Sequence, residues 1–182
     1  MSTYRMSRDW FITVVTALLL ALFAVLVVSA MLAFNTAPRG ITVLALILVI
    51  TVCTAIAAVA YLYTPKRIAL AETVLRIDRP IGPVELEYDT IRAVRVSDEW
   101  FGTSLKRPPG GNSGFFGIWG SFRSRALGSY TMYGTKARGA VVITTTDSTI
   151  VVTPDERERF TEELRMRAQA KSGDGGTEGL QR

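Results

Sequence analysis

The sequence contains no histidine and only one cysteine among its 182 residues. Histidine is the commonest general base and the commonest transition-metal ligand, so its absence removes the usual residues of catalytic and metal sites. Cys53 has no partner for a disulfide within the chain and lies inside an apolar run. The Gly-x-Ser-x-Gly motif of a nucleophilic serine is also absent. The sequence therefore predicts no enzyme, no metal and no cofactor.

Charge is almost missing from the first third of the chain. Residues 10–62 contain one charged side chain, Arg39. Two apolar runs, at residues 10–34 and 41–63, are each longer than the roughly 20 residues that cross a hydrocarbon core about 30 Å thick. The linker at residues 35–40 contains Pro and Gly and is short enough to join only antiparallel neighbours. We therefore predict two transmembrane helices with an extracytoplasmic turn between them.

Basic residues near the ends of the apolar runs predict the orientation. Two precede the first run, two follow the second and one lies in the turn: Arg5, Arg8, Lys66, Arg67 and Arg39. Cytoplasmic flanks carry the excess of Lys and Arg in membrane proteins. We therefore expect a multi-pass protein of the plasma membrane with both termini in the cytoplasm.

A cleaved signal peptide is the alternative to the first transmembrane helix. Residues 28–30 read Val-Ser-Ala, which resembles a small-residue cleavage site. The apolar run before it is about 20 residues long, whereas a signal peptide usually has about 7 to 15. Even after cleavage, the second helix would deliver the rest of the chain to the cytoplasm.

From Thr64 onward, short β-type runs replace the long apolar segments. Apolar and acidic residues alternate over 84–89, which indicates a half-buried strand. Two β-branched runs, at residues 140–145 and 149–153, predict a hairpin. We expect six or seven strands in all.

An amphipathic helix is expected after the strands. Thr153, Pro154 and Glu156 stand in the order of an N-cap, a first helical position and a capping-box acid. An apolar stripe then recurs every four residues, at Phe160, Leu164 and Ala168. Residues 172–182 include four glycines and have nothing to bury, so we predict that they are disordered.

One glycine- and aromatic-rich segment resembles a known family. It reads GFFGIWGSF at residues 114–122 and LGSY at residues 127–130, and a Pro-Asp pair precedes the last helix. Over roughly residues 64–168 the chain is similar to the bacterial pleckstrin-homology (PH) domain family. The resemblance implies a PH-like barrel of two sheets closed by the C-terminal helix, placed after transmembrane helices. It implies no catalytic positions and no common ligand. We expect this cytoplasmic domain at 64–171 and a short cytoplasmic N-terminus at 1–9.

Residues 100–138 combine basic and aromatic side chains and contain no Asp or Glu. Cations attract anionic lipid headgroups, and aromatic rings lie at headgroup depth. The candidate residues for contact with a membrane or a partner are Lys106, Arg107, Phe115, Phe116, Trp119, Arg123 and Arg125. The alternative is that the rings fill the core and the cations face solvent.

Glycines recur at every third position from residue 111 to residue 120. No Gly-Lys-Ser or Gly-Lys-Thr follows them, and the Gly-x-Gly-x-x-Gly pattern is absent, so a phosphate-binding loop is not predicted. Two local conformations would explain these glycines. The glycines either form turns that let the aromatic rings fold inward, or build a protruding loop that reaches the membrane or a neighbouring subunit.

The expected function is a membrane-anchored PH-like scaffold or interaction module, without catalysis, that binds a protein partner or a second copy of itself. A domain that docks on or senses anionic lipid is one alternative. A regulator or enzyme of cell-envelope processes, with an unrecognised site, is the other. Nucleic acid is not expected, because the part from residue 64 carries 18 basic and 15 acidic residues, a net charge of only +3.

Overall fold

The structure is a computed structural model that describes residues 1–33, 39–99, 101 and 111–174. Its elements in chain order are β1 (Ser2–Arg5), α1 (Trp10–Ala33), α2 (Arg39–Tyr63), β2 (Arg67–Leu70), β3 (Val74–Asp78), β4 (Val84–Glu87), a 3-10 turn (Tyr88–Thr90), β5 (Ile91–Ser97), β6 (Asn112–Ser113), β7 (Ile118–Ser124), β8 (Gly128–Gly134), β9 (Ala140–Thr145), β10 (Thr149–Val152) and α3 (Arg157–Asp174). Two long helices thus precede a mainly-β domain that ends in one helix.

Helices α1 and α2 form a hairpin, and both are long and apolar enough to cross a membrane. The apolar spans are Trp10–Leu32 and Val43–Tyr63, of which only 11% and 6% is buried against the rest of the chain. A core helix of a soluble protein would be covered on most sides, whereas this hairpin exposes nearly all of its apolar surface. Such a surface needs an apolar environment, as the sequence predicts.

The domain contains two sheets. Their strand orders are β1-β2-β3-β4 and β5-β9-β10-β8-β7-β6, and β10 with β8 is a parallel pair within the second sheet. The predicted β9–β10 hairpin is confirmed. Two details of the predicted barrel are wrong: the sheets do not close, and nine strands follow the hairpin in the described residues instead of six or seven. The extra strands lie in the glycine-rich segment, where no regular alternation of apolar residues marks them.

Strand β1 comes from the residues before the first helix, for which the sequence predicts only a cytoplasmic N-terminus. It pairs antiparallel with β2, so that Ser2 lies opposite Leu70. Tyr4 is 3% exposed, and its ring centroid lies 5.2 Å from that of Phe160 in α3. The domain is therefore built from the segment before the hairpin as well as from the segment after it.

The second sheet is covered on both faces. Val141 and Ile143 of β9 face a cluster shared with the first sheet and α3, whereas Ala140 and Val142 face a second cluster. Successive strand residues point to opposite faces, which explains this division. Ile12, in the first turn of α1, is fully buried in the second cluster. The base of the hairpin is thus part of the core.

Helix α3 begins at Arg157 and not at Pro154, so the predicted capping box is wrong. The Thr153 hydroxyl accepts a hydrogen bond from the Thr135 backbone N–H at 2.9 Å, which ties β10 to the end of β8. The predicted apolar stripe is buried and consists of Phe160, Leu164 and Ala168. Helix α3 extends to Asp174, and residues 175–182 lie outside the described residues, so the disorder of the tail stays a prediction.

Candidate functional site

The candidate site lies where the hairpin joins the domain. Asp9 is the N-cap of α1, because its carboxylate accepts a hydrogen bond from the Ile12 backbone N–H at 2.9 Å. The other oxygen of the same carboxylate accepts from the Ala137 N–H, between β8 and β9, at 3.1 Å. One side chain therefore fixes the start of the helix to the sheet.

The residues between β1 and α1 are held in the same way. The backbone N–H and the hydroxyl of Ser7 donate to the Asp155 carboxylate at 3.1 and 2.6 Å, and Lys136 pairs with that carboxylate at 2.6 Å. Burial acts to raise the pKa of Asp155, but the hydrogen bonds from Lys136 and Ser7 outweigh it and hold the pKa below its usual value. The segment is therefore anchored by a charged carboxylate.

The end of α2 is also bound to the domain. The Thr64 hydroxyl donates to the Ala60 carbonyl at 2.6 Å and is buried there. The Ile81 N–H, in the turn between β3 and β4, donates to the Leu62 carbonyl at 3.1 Å. These bonds satisfy carbonyls that a helix end leaves unpaired. Both ends of the hairpin are therefore fixed to one side of the domain.

Residues 111–119, called the junction loop below, lie along the hairpin. The Thr16 hydroxyl of α1 donates to the Gly114 carbonyl at 3.3 Å and accepts from the Phe116 N–H at 2.9 Å. Gly114 has a φ of +117°, and a Cβ there would lie 2.8 Å from Val15 Cγ1. Only glycine permits this backbone conformation and this close approach to the helix.

The junction loop places aromatic rings against both helices. Three ring pairs form the contact, with centroid distances of 5.8 Å for Phe115 with Phe23, 6.0 Å for Phe116 with Tyr61, and 4.9 Å for Trp119 with Tyr63. The first two are edge-to-face and the third is stacked, both favourable geometries. Phe23 lies roughly 20 Å along α1 from its start. The rings therefore fold against the chain's own hairpin, and Phe115 is only 4% exposed; contact of this segment with a bilayer or a neighbouring subunit stays a prediction.

Three basic side chains, called the junction cations below, surround this loop: Arg8, Lys66 and Arg79. Each lies over an aromatic ring, with distances to the centroid of 5.5 Å for Arg8 to Phe116, 4.2 Å for Lys66 to Tyr61, and 5.7 and 5.5 Å for Arg79 to Tyr63 and Tyr133. Within the described part of the chain, none of the three is ion-paired with a carboxylate. Even with the Asp9 carboxylate at the same place, these three side chains give the junction a net positive charge beside the apolar hairpin.

Two of the basic residues predicted as contacts, Arg123 and Arg125, do not lie at the junction. Arg123 and Arg125 are exposed, at the far end of β7 and just beyond it. At about 3.3 Å per residue, roughly 20 Å of chain separates Arg125 from Trp119. Lys106 and Arg107 lie outside the described residues. Among the predicted residues that the structure describes, the three aromatic ones thus come together at the junction, and Arg123 and Arg125 do not.

The sequence does contain a signal for two of the junction cations. Arg8 lies two residues before the first apolar run and Lys66 three residues after the second, which is where basic residues meet the polar surface of a bilayer. Arg79 carries no such signal, because the turn after β3 brings it to the helix end. To predict which basic residues lie at the junction, the distance from the apolar runs is therefore a better sequence signal than local enrichment in basic residues.

A family model described as Bacterial PH domain matches residues 66–168, more than half of the chain. The chain belongs to the bacterial PH domain family, which confirms the resemblance seen in the sequence. Comparison with curated proteins and comparison with solved structures each find no match. Strand β1 and the hairpin precede the matched residues, so the family model does not describe their part of the junction.

Proposed function

We propose that this chain is a membrane-anchored, non-enzymatic interaction module that presents its PH-like domain in one fixed orientation at the cytoplasmic face of the plasma membrane. One observation carries the proposal: β1 and β2 pair with each other although the whole hairpin separates them in sequence. A domain on a flexible tether would sample many orientations. A domain joined to the hairpin at both ends offers one surface for a protein partner or for a second copy of the chain.

Two features support the cytoplasmic orientation and a retained first helix. The junction cations lie at the domain end of the hairpin, where the positive-inside rule places the cytoplasm. Cleavage after Ala30 would remove β1 and with it Tyr4, which is 3% exposed in the core. The loss of a buried aromatic side chain from a small domain argues against processing at this position.

The titratable groups whose pKa values are shifted support the non-enzymatic part of the proposal, because they have structural roles. Glu163 and Tyr4 are bonded to each other at 2.6 Å, and they hold β1 on α3. Among the described residues, no three His, Cys, Asp or Glu side chains are grouped as metal ligands would be. The perturbed groups therefore have a structural explanation.

Site-specific photo-crosslinking of the full chain in native membranes tests the interaction role. Val96 on β5 and Met166 on α3 are apolar and exposed, at 37% and 62%, which makes them suitable positions for a photoreactive residue. We expect one discrete protein, or a second copy of the chain, to be captured at either position. The control position is Asp147, exposed in the β9–β10 turn. Capture of lipid alone at all three positions would contradict the proposal.

The junction cations favour a second candidate function, in which the domain docks on or senses anionic lipid. Each basic residue near an anionic surface contributes on the order of 1 kcal/mol. The full chain in nanodiscs should therefore unfold at a higher temperature when anionic phospholipid is present. Replacement of the three junction cations by Gln should abolish this dependence.

Arg123→Gln with Arg125→Gln is the matched control for this experiment. Both residues are exposed cations of the same domain, roughly 13 Å (Arg123) and 20 Å (Arg125) of chain from Trp119. We expect the double variant to keep its response to anionic lipid. A response lost in the double variant and kept in the junction variant would instead favour docking through β7.

A further inference from the structure

An open groove with a volume of about 340 Å³, called the cavity below, lies between α2 and the junction loop. Its lining residues are Ala55, Ile56, Val59 and Ala60 of the helix and Asn112, Phe115 and Trp119 of the loop. The lining is almost entirely apolar, and the volume is within the usual range of small-ligand sites. The alanines make room for it, because a larger side chain at either position would occupy the same space.

The depth of the cavity restricts what can enter it. Ala60 and Ala55 precede Tyr63, the last residue of the apolar span, by three and eight residues. At about 1.5 Å per residue, the cavity lies roughly 5 to 12 Å inside the span. On the proposed anchoring this is the outer part of the hydrocarbon core. Acyl chains and other transmembrane helices are the groups found at that depth.

A buried polar atom of Trp119 favours a phospholipid, and not a second transmembrane helix, as the occupant of the cavity. The indole Nε1–H of Trp119 is buried and has no hydrogen-bond acceptor among the described residues. A donor without an acceptor is unfavourable in apolar surroundings. Because Trp119 stacks on Tyr63, it lies at the end of the apolar span. Phospholipids carry ester carbonyls at this depth, and a carbonyl is the acceptor that an indole N–H needs.

Basic side chains just beyond the end of α2 favour an anionic lipid as the occupant. Lys66 lies over the ring of Tyr61 and Arg79 over the ring of Tyr63, on the turns just beyond the apolar span. Neither is ion-paired in the described part of the chain. Phosphate is the group that such cations bind where a lipid headgroup meets water.

We propose that the cavity binds one acyl chain of an anionic phospholipid from the surrounding bilayer. Trp119 Nε1 donates to its ester carbonyl, and Lys66 and Arg79 bind its phosphate. The inference rests on the proposed membrane anchoring and adds a specific ligand to it. The bound lipid would then be part of the contact between hairpin and domain.

Fluorescence quenching by brominated lipid tests the site in the full chain. Trp10→Phe with Trp100→Phe leaves Trp119 as the sole tryptophan. In nanodiscs, we expect anionic phospholipid brominated on its acyl chain to quench Trp119 at a low mole fraction. Ala55→Phe fills the cavity. It should raise the mole fraction of brominated lipid needed for the same quenching at least about tenfold, which corresponds to about 1.4 kcal/mol.

Ala58→Phe is the control, since Ala58 is exposed on α2 and does not line the cavity. This variant should be quenched like the parent. Equal quenching of the parent, Ala55→Phe and Ala58→Phe proteins would show that only bulk lipid reaches the indole, and would overturn the proposal.

Trp119→Phe tests the hydrogen bond with little change in ring size. Native mass spectrometry of the detergent-solubilised full chain should show one retained anionic phospholipid, and the variant should retain about three- to tenfold less, as expected for one hydrogen bond. Unchanged retention in both Trp119→Phe and Ala55→Phe would overturn the proposal. So would a chain-to-chain crosslink abolished by Ala55→Phe, because the occupant would then be a helix of a second copy.

These outcomes are separable from those of the proposed function. Loss of the lipid in Ala55→Phe should leave membrane insertion and the crosslinks at Val96 and Met166 unchanged. A parent chain that fails to insert would overturn both proposals together.

Discussion

At the scale of single residues, a polar cluster binds the N-terminal strand to α3. The Tyr4 hydroxyl donates to the Glu163 carboxylate at 2.6 Å, and Arg167 pairs with it at 2.8 Å. Burial and the hydrogen bond to Glu163 raise the pKa of Tyr4 to about 12. Burial acts to raise the pKa of Glu163, but hydrogen bonds from Tyr4, Ser2 and Arg167 outweigh it and lower the pKa to about 2.

Stability should therefore fall at both extremes of pH. The contribution of Glu163 is complete above its ordinary pKa of 4.5 and is lost as the pH falls to about 2. That of Tyr4 is complete below its ordinary pKa of 10.0 and is lost as the pH rises to about 12. We expect the unfolding temperature of the full chain in detergent to follow this profile. Glu163→Gln should flatten the acid limb, and an unchanged limb would contradict the assignment.

Thr16 offers a second test at this scale. Thr16→Val removes the hydroxyl that binds both Gly114 and Phe116, and it leaves a carbonyl and an N–H unpaired beside apolar side chains. The cost should be about 1–3 kcal/mol. Thr13→Val is the control, because the Thr13 hydroxyl is exposed and bonds to the Asp9 carbonyl within its own helix turn. Hydrogen exchange at Phe116 and thermal unfolding should separate the two variants, and equal effects would count against the loop contact.

The sequence could not single out Thr16. Thr13, Thr16 and Ser29 are all hydroxyl residues within one apolar run, and each can bond to the preceding turn of its own helix. Which of them meets the junction loop depends on how Gly114 approaches α1. That approach is a property of the packed structure.

At the scale of elements, β1 makes the residues before the hairpin a part of the domain. Tyr4→Ala should remove about 3 kcal/mol of stability, because it deletes a buried ring from the contact with Phe160. Thr3→Ala, exposed on the same strand, should cost much less. Limited proteolysis and thermal unfolding of the full chain measure the difference. Equal stability of the two variants would show that β1 is not held as described.

The elements that sequence patterns predicted are those with repeated signals. The apolar runs of α1 and α2, the paired β-branched runs of β9 and β10, and the four-residue spacing in α3 each repeat one feature several times. Strand β1 reads Ser-Thr-Tyr-Arg and buries only Tyr4, so it has no alternation to detect. Strand β6 has two residues, too few for any period.

At the scale of the whole molecule, the two ends of the hairpin should lie on the same side of the membrane. Cys53→Ala gives a cysteine-free chain, since Cys53 is the only cysteine. In that background, a membrane-impermeant thiol reagent applied to intact cells should label Thr36→Cys, in the linker that the sequence predicts to be extracytoplasmic, and not Ser121→Cys, on the domain. After lysis, it should label both. Labelling of the domain position in intact cells would reverse the proposed orientation.

The overall organisation of the molecule was predictable from the sequence, but the contact between hairpin and domain was not. Composition separates hairpin from domain, and the GFFGIWGSF segment identifies the family. The target of that segment was not predictable, because the rings of Phe115, Phe116 and Trp119 could fill a core, contact lipid or contact another chain equally well. The chain's own hairpin becomes their partner only once β1 and β2 bring the helix ends to the sheet.

The β1–β2 pair also has a consequence for synthesis. Strand β1 leaves the ribosome before the hairpin and β2 after it, so the first sheet cannot be completed until both helices have been made. With the two strands on opposite sides of a bilayer, they could not meet, and β2 would keep an unpaired edge of the kind that invites aggregation. A complete first sheet therefore requires that both helices of the hairpin have been inserted together, with their domain ends on one side of the bilayer.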